Sequence, residues 1–131
     1  MTIQVRTWLL AAACVAAAMI YGAASLKAAA ARDVARGKYL VHNVAMCVDC
    51  HGPDLKGAAL PFKAADPKMP FVTVAPSLRG AALKHYSEAD LARAVSTGKR
   101  PQGSPFLPPM PHYRMNSTDA AAVAAYIKSL K

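Results

Sequence analysis

Aromatic side chains are scarce in this chain of 131 residues, where Phe, Trp and Tyr make up only 7%. Hydrophobic residues reach 54%, but many of them are alanines, so the side chains build only a thin core. The length leaves room for one domain and little else. Domains this small often depend on a cofactor or a cross-link, so a bound prosthetic group would supply the missing apolar volume.

Acidic side chains are also few, with seven Asp and Glu against 16 Lys and Arg. Only Arg6 and Lys27 of the basic residues lie before residue 32, so residues 32–131 carry 14 basic and seven acidic side chains, a net charge of +7. Such a field raises the rate of encounter with an acidic partner. The basic residues form no cluster, which argues against nucleic acid as the partner.

Internal repeats and strand-like alternation are almost absent after residue 31. Apolar periodicity, capping residues and terminal glycine predict three main helices, at about Asp33–Ala45, from Ser87 to Gly98, and at about Thr118–Leu130. All ten prolines lie between residues 53 and 111. They predict long loops, with at most a short extended piece at Phe71–Val74. The fold class expected is all-α.

The first 31 residues differ from the rest of the chain. Residues 8–26 form an uncharged run between Arg6 and Lys27. Its length suits a signal peptide or one spanning helix, which needs about 20 apolar residues. Small residues before residue 32 offer cleavage sites, although the run exceeds the usual signal core of about 7–15 residues. We expect residues 1–31 to be a signal peptide or, preferably, a membrane anchor, and residues 32–131 to be exported.

Cys47, Cys50 and His51 form a Cys-x-x-Cys-His motif. A Cys-x-x-Cys pair can be a redox disulfide, half of a zinc site or a haem attachment site. A thioredoxin-type pair needs strands that this chain lacks, and structural zinc needs four ligands where the other histidines show no suitable spacing. Two thiols three positions apart can add to the two vinyl groups of one porphyrin, and the next histidine can then bind iron. We therefore expect one covalent haem c.

The other axial position of the iron has seven candidates after residue 31: Met46, Met69, Met110, Met115, His42, His85 and His112. Met46 adjoins the motif and cannot reach over the ring. Met110 lies in the sequence Pro108-Pro109-Met110-Pro111, whose stiff backbone can hold a weak thioether ligand at little entropic cost. We prefer Met110 as the ligand, with Met115 or a histidine as the alternatives.

The order and spacing of these motifs resemble the class I cytochromes c, especially the small monohaem domains that serve membrane-bound dehydrogenases and oxidases. The resemblance covers about residues 33–130 and rests on Arg36-Gly37-Lys38-Tyr39-Leu40, Cys47–His51, Ala75-Pro76-Ser77-Leu78, Ser87–Leu91, Gly98–Gly103, Pro109-Met110-Pro111 and Asp119–Leu130. It implies the class I cytochrome c fold, with three main helices and Pro-rich loops around one covalently bound haem, here preceded by an N-terminal apolar helix.

The resemblance also implies roles for single residues. Gly37 would let the first and last helices cross closely beside Tyr126. The carbonyl of Pro76 would accept the Nδ1–H of His51 and make that ligand more basic. Met110 would be the distal ligand, which raises the reduction potential relative to two histidines.

Two residues depart from the family pattern near the predicted haem, and two basic residues are candidates for contact with it. Ser77 replaces the Asn usual after that proline, and Tyr86 stands where related domains often carry Trp. Lys99 and Arg100 are candidate neighbours of the haem propionates.

An iron with His and Met on its two faces has no vacant position for a substrate, so such a centre passes single electrons. We expect an electron carrier rather than an enzyme, held by residues 8–26 on the periplasmic side of the cytoplasmic membrane, or soluble in the periplasm after cleavage. Its expected partners are acidic redox proteins or a membrane oxidoreductase complex. The competing hypothesis is a haem enzyme or a gas-binding cytochrome whose sixth ligand is displaceable, and the proline-braced Met110 argues against it.

Overall fold

The computed structural model describes Gly22, residues 29–31 and residues 33–131. Residues Asp33–Lys131 form one compact unit, which is mostly helical. No helix among the described residues is long and apolar enough to cross a membrane. The predicted anchor at residues 8–26 lies outside the described residues except for Gly22, so it stays a prediction.

The first helix of this unit, α1, consists of α-helical residues 33–39 and a π-helical turn at Leu40–Val44. Leu40 and Val41 are buried in the core. The backbone N–H of Ala45 bonds to the carbonyl of Leu40 at 2.8 Å and ends the helix. The end at residue 44 agrees with the apolar periodicity, whereas the wider π-turn has no signal in the sequence.

A short second helix, α2, covers Cys47–His51 and contains the whole Cys-x-x-Cys-His motif. Met46 precedes it with a left-handed backbone, at a φ of 50°. The prediction of three main helices did not include α2, because five residues are too few to display a helical period. The described residues therefore contain four helices instead of three.

Among the described residues, the strands form one antiparallel pair, β1 at Ala58–Ala59 and β2 at Val74–Ala75, and an isolated bridge joins Lys99 to Pro105. Ala58 pairs with Ala75 and Ala59 with Val74. A 3₁₀ turn follows at Gly80–Leu83. The two strands bring the loop after α2 against the segment that contains Pro76.

The third helix, α3, spans Glu88–Thr97 and is closed at both ends by local signals. The hydroxyl of Ser87 accepts from the backbone N–H of Asp90 at 3.0 Å, while the Asp90 carboxylate accepts from the backbone N–H of Ser87 at 3.1 Å. Gly98 ends the helix in a left-handed conformation, at a φ of 68°. These contacts form a capping box and a glycine stop, and they confirm the cap at Ser87 and the end at Gly98 that the sequence predicts.

The last helix, α4, spans Ser117–Ser129 and forms most of the core. Its buried residues are Ala120, Ala122, Val123, Ala124, Tyr126 and Ile127. The side chain of Asn116 caps the helix by accepting from the backbone N–H of Asp119 at 2.8 Å. Small side chains on this face let other elements approach the helix axis closely.

Helices α1 and α4 cross at Gly37, which is buried. A Cβ atom on Gly37 would overlap the carbonyl oxygen of Ala122 and would lie 2.7 Å from the Cβ of Tyr126. Arg36 pairs with Asp119 at 3.0 Å on one side of the crossing, and His42 Nε2 lies 2.9 Å from the Tyr126 hydroxyl. The close crossing that the resemblance implied for Gly37 is confirmed.

Candidate cofactor site

A cavity of about 730 Å³ lies inside the unit of residues 33–131. Apolar side chains from α3, α4 and the loops form much of its wall, among them Leu78, Leu91, Val95, Phe106, Val123 and Ile127. Cavities of about 300–1,000 Å³ with apolar walls and a few polar groups are typical of small-molecule and cofactor sites. The thin core that the composition predicts therefore surrounds a space large enough for a prosthetic group.

Both motif cysteines line this cavity, and both are free thiols. Residues three apart lie on the same side of a helix, so α2 directs Cys47 and Cys50 towards one space. Cys47 is buried and Cys50 is half-buried. Burial raises the pKa of the Cys47 thiol, although a hydrogen bond with Tyr113 partly opposes this.

His51 also lines the cavity and is only 6% exposed, the one buried polar side chain in the described part of the chain. Its Nδ1 lies 2.7 Å from the carbonyl oxygen of Pro76. A carbonyl can only accept, so Nδ1 carries the proton, and the neutral ring keeps a lone pair on Nε2. A neutral imidazole nitrogen oriented by such a bond is a common metal ligand.

Gly57 brings the Pro76 segment within reach of His51. Its backbone N–H bonds to the carbonyl of His51 at 2.8 Å. A Cβ on Gly57 would lie 2.7 Å from the carbonyl oxygen of Ala75 and 2.9 Å from the nitrogen of Ser77, and its φ is +92°. Only a residue without a side chain allows this contact and this backbone conformation. No local sequence pattern marks Gly57, because its role depends on a segment about twenty residues away.

The candidates for the second axial ligand separate by position. Met46, Met110 and Met115 line the cavity, as do Pro109 and Pro111. Met69 is half exposed and is not among the lining residues. Nor are the three histidines, His42, His85 and His112. Of the seven side chains considered from the sequence, three methionines are therefore brought to the cavity with His51.

Backbone and side-chain hydrogen bonds hold the Met110 segment on both sides. The N–H of Val72 bonds to the carbonyl of Pro108 at 2.9 Å, and Met110 N–H bonds to the carbonyl of Leu107 at 3.2 Å. The Pro108–Pro109 peptide is cis. After Met110, the hydroxyl of Tyr113 donates to the carbonyl of Ala45 at 2.8 Å. Tyr113 was not predicted as a site residue, since no local pattern in the sequence marks it.

The basic pair proposed near the cofactor divides in the structure. Arg100 lines the cavity and Lys99 does not. The Arg100 guanidinium donates to the carbonyl of Pro105 at 2.6 Å and lies 5.2 Å from the centre of the Phe106 ring. These contacts hold the Arg100 side chain beside the cavity, so a contact with a haem propionate stays a prediction for this residue.

The two departures from the family pattern both lie at the cavity. Tyr86 lines it and is half-buried. Ser77 also lines it, and its hydroxyl accepts from the backbone N–H of Arg79 at 3.1 Å. The same hydroxyl donates to the carbonyl of Leu55 at 3.5 Å, so Ser77 also links its loop to the segment after α2.

A family model described as Cytochrome c matches residues 34–131. The match includes every residue that lines the cavity. No curated protein and no solved structure matches the chain.

Proposed function

This chain belongs to the cytochrome c family, and from this premise we propose that it is a single-electron carrier whose haem iron is bound by His51 and Met110. The family binds covalent c-type haem and transfers electrons through it. The observation that carries the proposal is that Cys47, Cys50, His51 and Met110 all line one largely apolar cavity.

The residues present fit haem c. Cys47 and Cys50 are free thiols on one helix, and the Nδ1–H of His51 donates a hydrogen bond to the carbonyl of Pro76, which leaves Nε2 as the ring nitrogen that can bind iron. The cavity of about 730 Å³ lies within the range of cofactor pockets. When bound, the haem supplies an iron that alternates between two oxidation states.

The chain's own residues would keep the centre closed to substrates. The Pro76 carbonyl fixes the orientation of His51, which makes the imidazole a more basic ligand. Apolar side chains from α3 and α4 exclude water from the cavity. The proline-flanked segment holds the Met110 thioether with little freedom to lose, which suits a weak ligand. A centre closed on both faces favours electron transfer over bond chemistry.

Visible spectroscopy tests the ligand assignment. The ferric holoprotein should show the weak red band of a Met sulfur bound to iron, and the reduced protein should bind carbon monoxide poorly. Met110→Ala should abolish the band, whereas Met115→Ala is the matched control because Met115 lines the same cavity. If Met115→Ala loses the band and Met110→Ala keeps it, the assignment is wrong. Ready binding of carbon monoxide by the wild type would favour the alternative, a haem enzyme or gas-binding cytochrome.

We also propose acidic redox proteins as partners, including those within a membrane oxidoreductase complex. Four exposed large apolar residues, Met46, Phe62, Val74 and Leu107, also line the cavity, so part of its wall is an exposed apolar rim. Lys63 and Lys68 are exposed in the loop between β1 and β2, which also contains Phe62. Neither lysine forms an ion pair among the described residues. Apolar contact and unpaired positive charge together suit a partner that carries carboxylates around an apolar centre.

Electron-transfer kinetics test this surface. Reduction by an acidic flavodoxin should slow in the double variant Lys63→Glu/Lys68→Glu, and the difference should shrink at high ionic strength because salt screens the attraction. Lys38→Glu/Lys84→Glu makes the same change of charge at exposed positions outside the loop of residues 60–73, which contains Phe62, Lys63 and Lys68. Equal slowing by both double variants would show that only net charge matters and would contradict a localised docking surface.

Location is proposed from the family and from the sequence. Cytochrome c domains are typically extracytoplasmic, and we propose the periplasmic side of the cytoplasmic membrane, with residues 8–26 as the anchor. Membrane fractionation followed by a salt wash and N-terminal sequencing provides the test. Retention in the membrane with residues 8–26 intact supports the anchor, whereas release with a new N-terminus near residue 31 supports a cleaved signal peptide.

A further inference from the structure

We propose that Tyr113 is a positioning residue, which keeps the Met110 thioether in place through its hydrogen bond to Ala45. The inference rests on the proposed His/Met ligation and adds a residue that supports it. This hydrogen bond connects two segments that are far apart in the sequence. One segment contains Met110, and the other leads into the Cys-x-x-Cys-His motif.

The phenol hydroxyl of Tyr113 donates to the carbonyl oxygen of Ala45 at 2.8 Å. Tyr113 follows Met110 by three residues, and Ala45 precedes Cys47 by two. This bond joins residues 105–115 to residues 45–51. The Met110 segment is therefore linked directly to the chain that enters the haem-attachment helix α2.

The carbonyl of Ala45 needs such a partner because α1 ends there. Met46 has a left-handed backbone, which turns the chain away from the helical path. The phenol thus replaces the donor that another helical turn would have supplied. Ala45 is only 9% exposed, so a loss of this donor would leave a poorly hydrated acceptor. Burial raises the pKa of the Tyr113 phenol, which keeps it protonated and able to donate.

A displacement of the Met110 segment that carried Tyr113 with it would break this bond. Upstream, Val72 N–H holds the carbonyl of Pro108 at 2.9 Å. Downstream, Tyr113 provides the corresponding restraint. An external ligand that replaces the Met110 thioether has to displace the segment between these two bonds. The Tyr113 bond therefore contributes to the free energy that opposes displacement of Met110.

Imidazole binding to the ferric holoprotein measures that contribution. Tyr113→Phe removes the hydroxyl and keeps the ring, and we expect it to raise the apparent affinity for imidazole about fivefold, the factor that corresponds to one ordinary hydrogen bond. Tyr126→Phe is the matched control, since it removes a phenol that lies 2.9 Å from His42 Nε2 and does not line the cavity. The control should lower resistance to urea while leaving the imidazole affinity within about twofold of the wild type.

Each outcome decides the inference. An unchanged imidazole affinity in Tyr113→Phe overturns it, and so does an equal rise in Tyr126→Phe, which would mean that general loosening is responsible. Failure of Tyr113→Phe to assemble with haem, when Tyr126→Phe succeeds, also overturns the inference. Tyr113 would then be needed for haem attachment itself and not only for the position of Met110. The proposed function fails separately, when the wild-type protein itself lacks the red band of methionine ligation.

Discussion

Substitution of Gly37 by Ala should destabilise the protein, although the same change usually stabilises a helix. In an open helix, Ala is favoured over Gly by about 1 kcal/mol. Here the added methyl would overlap the carbonyl oxygen of Ala122 and lie 2.7 Å from the Cβ of Tyr126. The Ala122 oxygen is a backbone atom, and the Cβ of Tyr126 is bonded directly to the backbone, so neither atom can rotate away. The overlap is relieved only if α1 and α4 move apart.

The expected magnitude follows from these opposing effects. Overpacking costs about 1–3 kcal/mol and occasionally more, and backbone overlap places Gly37→Ala at the upper end. After the gain in helix propensity, we expect the free energy of unfolding to fall by about 2 kcal/mol. For a domain of this size, that corresponds to a decrease in Tm of about 8–16 °C.

Urea unfolding of the ferric holoprotein measures this loss. Ala35→Gly is the matched control, because Ala35 is exposed in the same helix and should lose only the propensity difference of about 1 kcal/mol. The slope of the free energy with urea should stay unchanged in both variants. A Gly37→Ala protein as stable as the wild type, or more so, would refute the close crossing of α1 and α4.

Three further substitutions test other parts of the structure. Ser87→Ala removes the N-cap of α3 and should lower the free energy of unfolding by about 1 kcal/mol in urea titrations, with little change in the haem spectrum. The hydrogen bond and the positive charge of Arg36 lower the pKa of Asp119 in the folded protein. The Asp119 carboxylate therefore stabilises the fold fully above its unfolded pKa of about 3.9. This stabilisation is lost as the pH falls through the pKa of Asp119 in the folded protein. Asp119→Asn should therefore reduce the loss of Tm between pH 6 and pH 3, and an unchanged acid limb would contradict this linkage. Gly57→Ala should push the Pro76 carbonyl away from His51, which makes the His51 imidazole a less basic ligand. A redox titration should then give a higher reduction potential than the wild type. A lower potential would refute the role of the close approach between Gly57 and residues 75–77.

The sequence was most informative where the structure depends on neighbouring residues. The ends of α3 follow from Ser87 and Gly98, since capping and left-handed stops are satisfied within a few positions. The haem-attachment motif is local for the same reason, because the porphyrin requires its two thiols and its histidine close together in the chain. A local requirement leaves a local pattern, and such a pattern can be recognised without the fold.

The supports of the site leave no such pattern. The Tyr113 bond to Ala45 spans 68 positions, and the contact of Gly57 with the Ala75 carbonyl depends on how two loops meet. The short helix α2 was missed because one turn of five residues has no period. In each case the residue type is common, and only its position in the folded chain gives it a function.

The choice of Met110 over Met115 as the second axial ligand depends on the hydrogen bonds that hold each segment, and not on which side chain reaches the cavity. Both side chains line the cavity, so distance along its wall does not separate them. Met115 directly precedes Asn116, which caps α4, and the Arg36 ion pair holds Asp119 in the first turn of that helix. Any shift of the Met115 backbone to reach an iron would disturb this cap. Met110 lies between prolines in a segment held on both sides, so its thioether can bind without disrupting a helix, which favours Met110 as the second axial ligand.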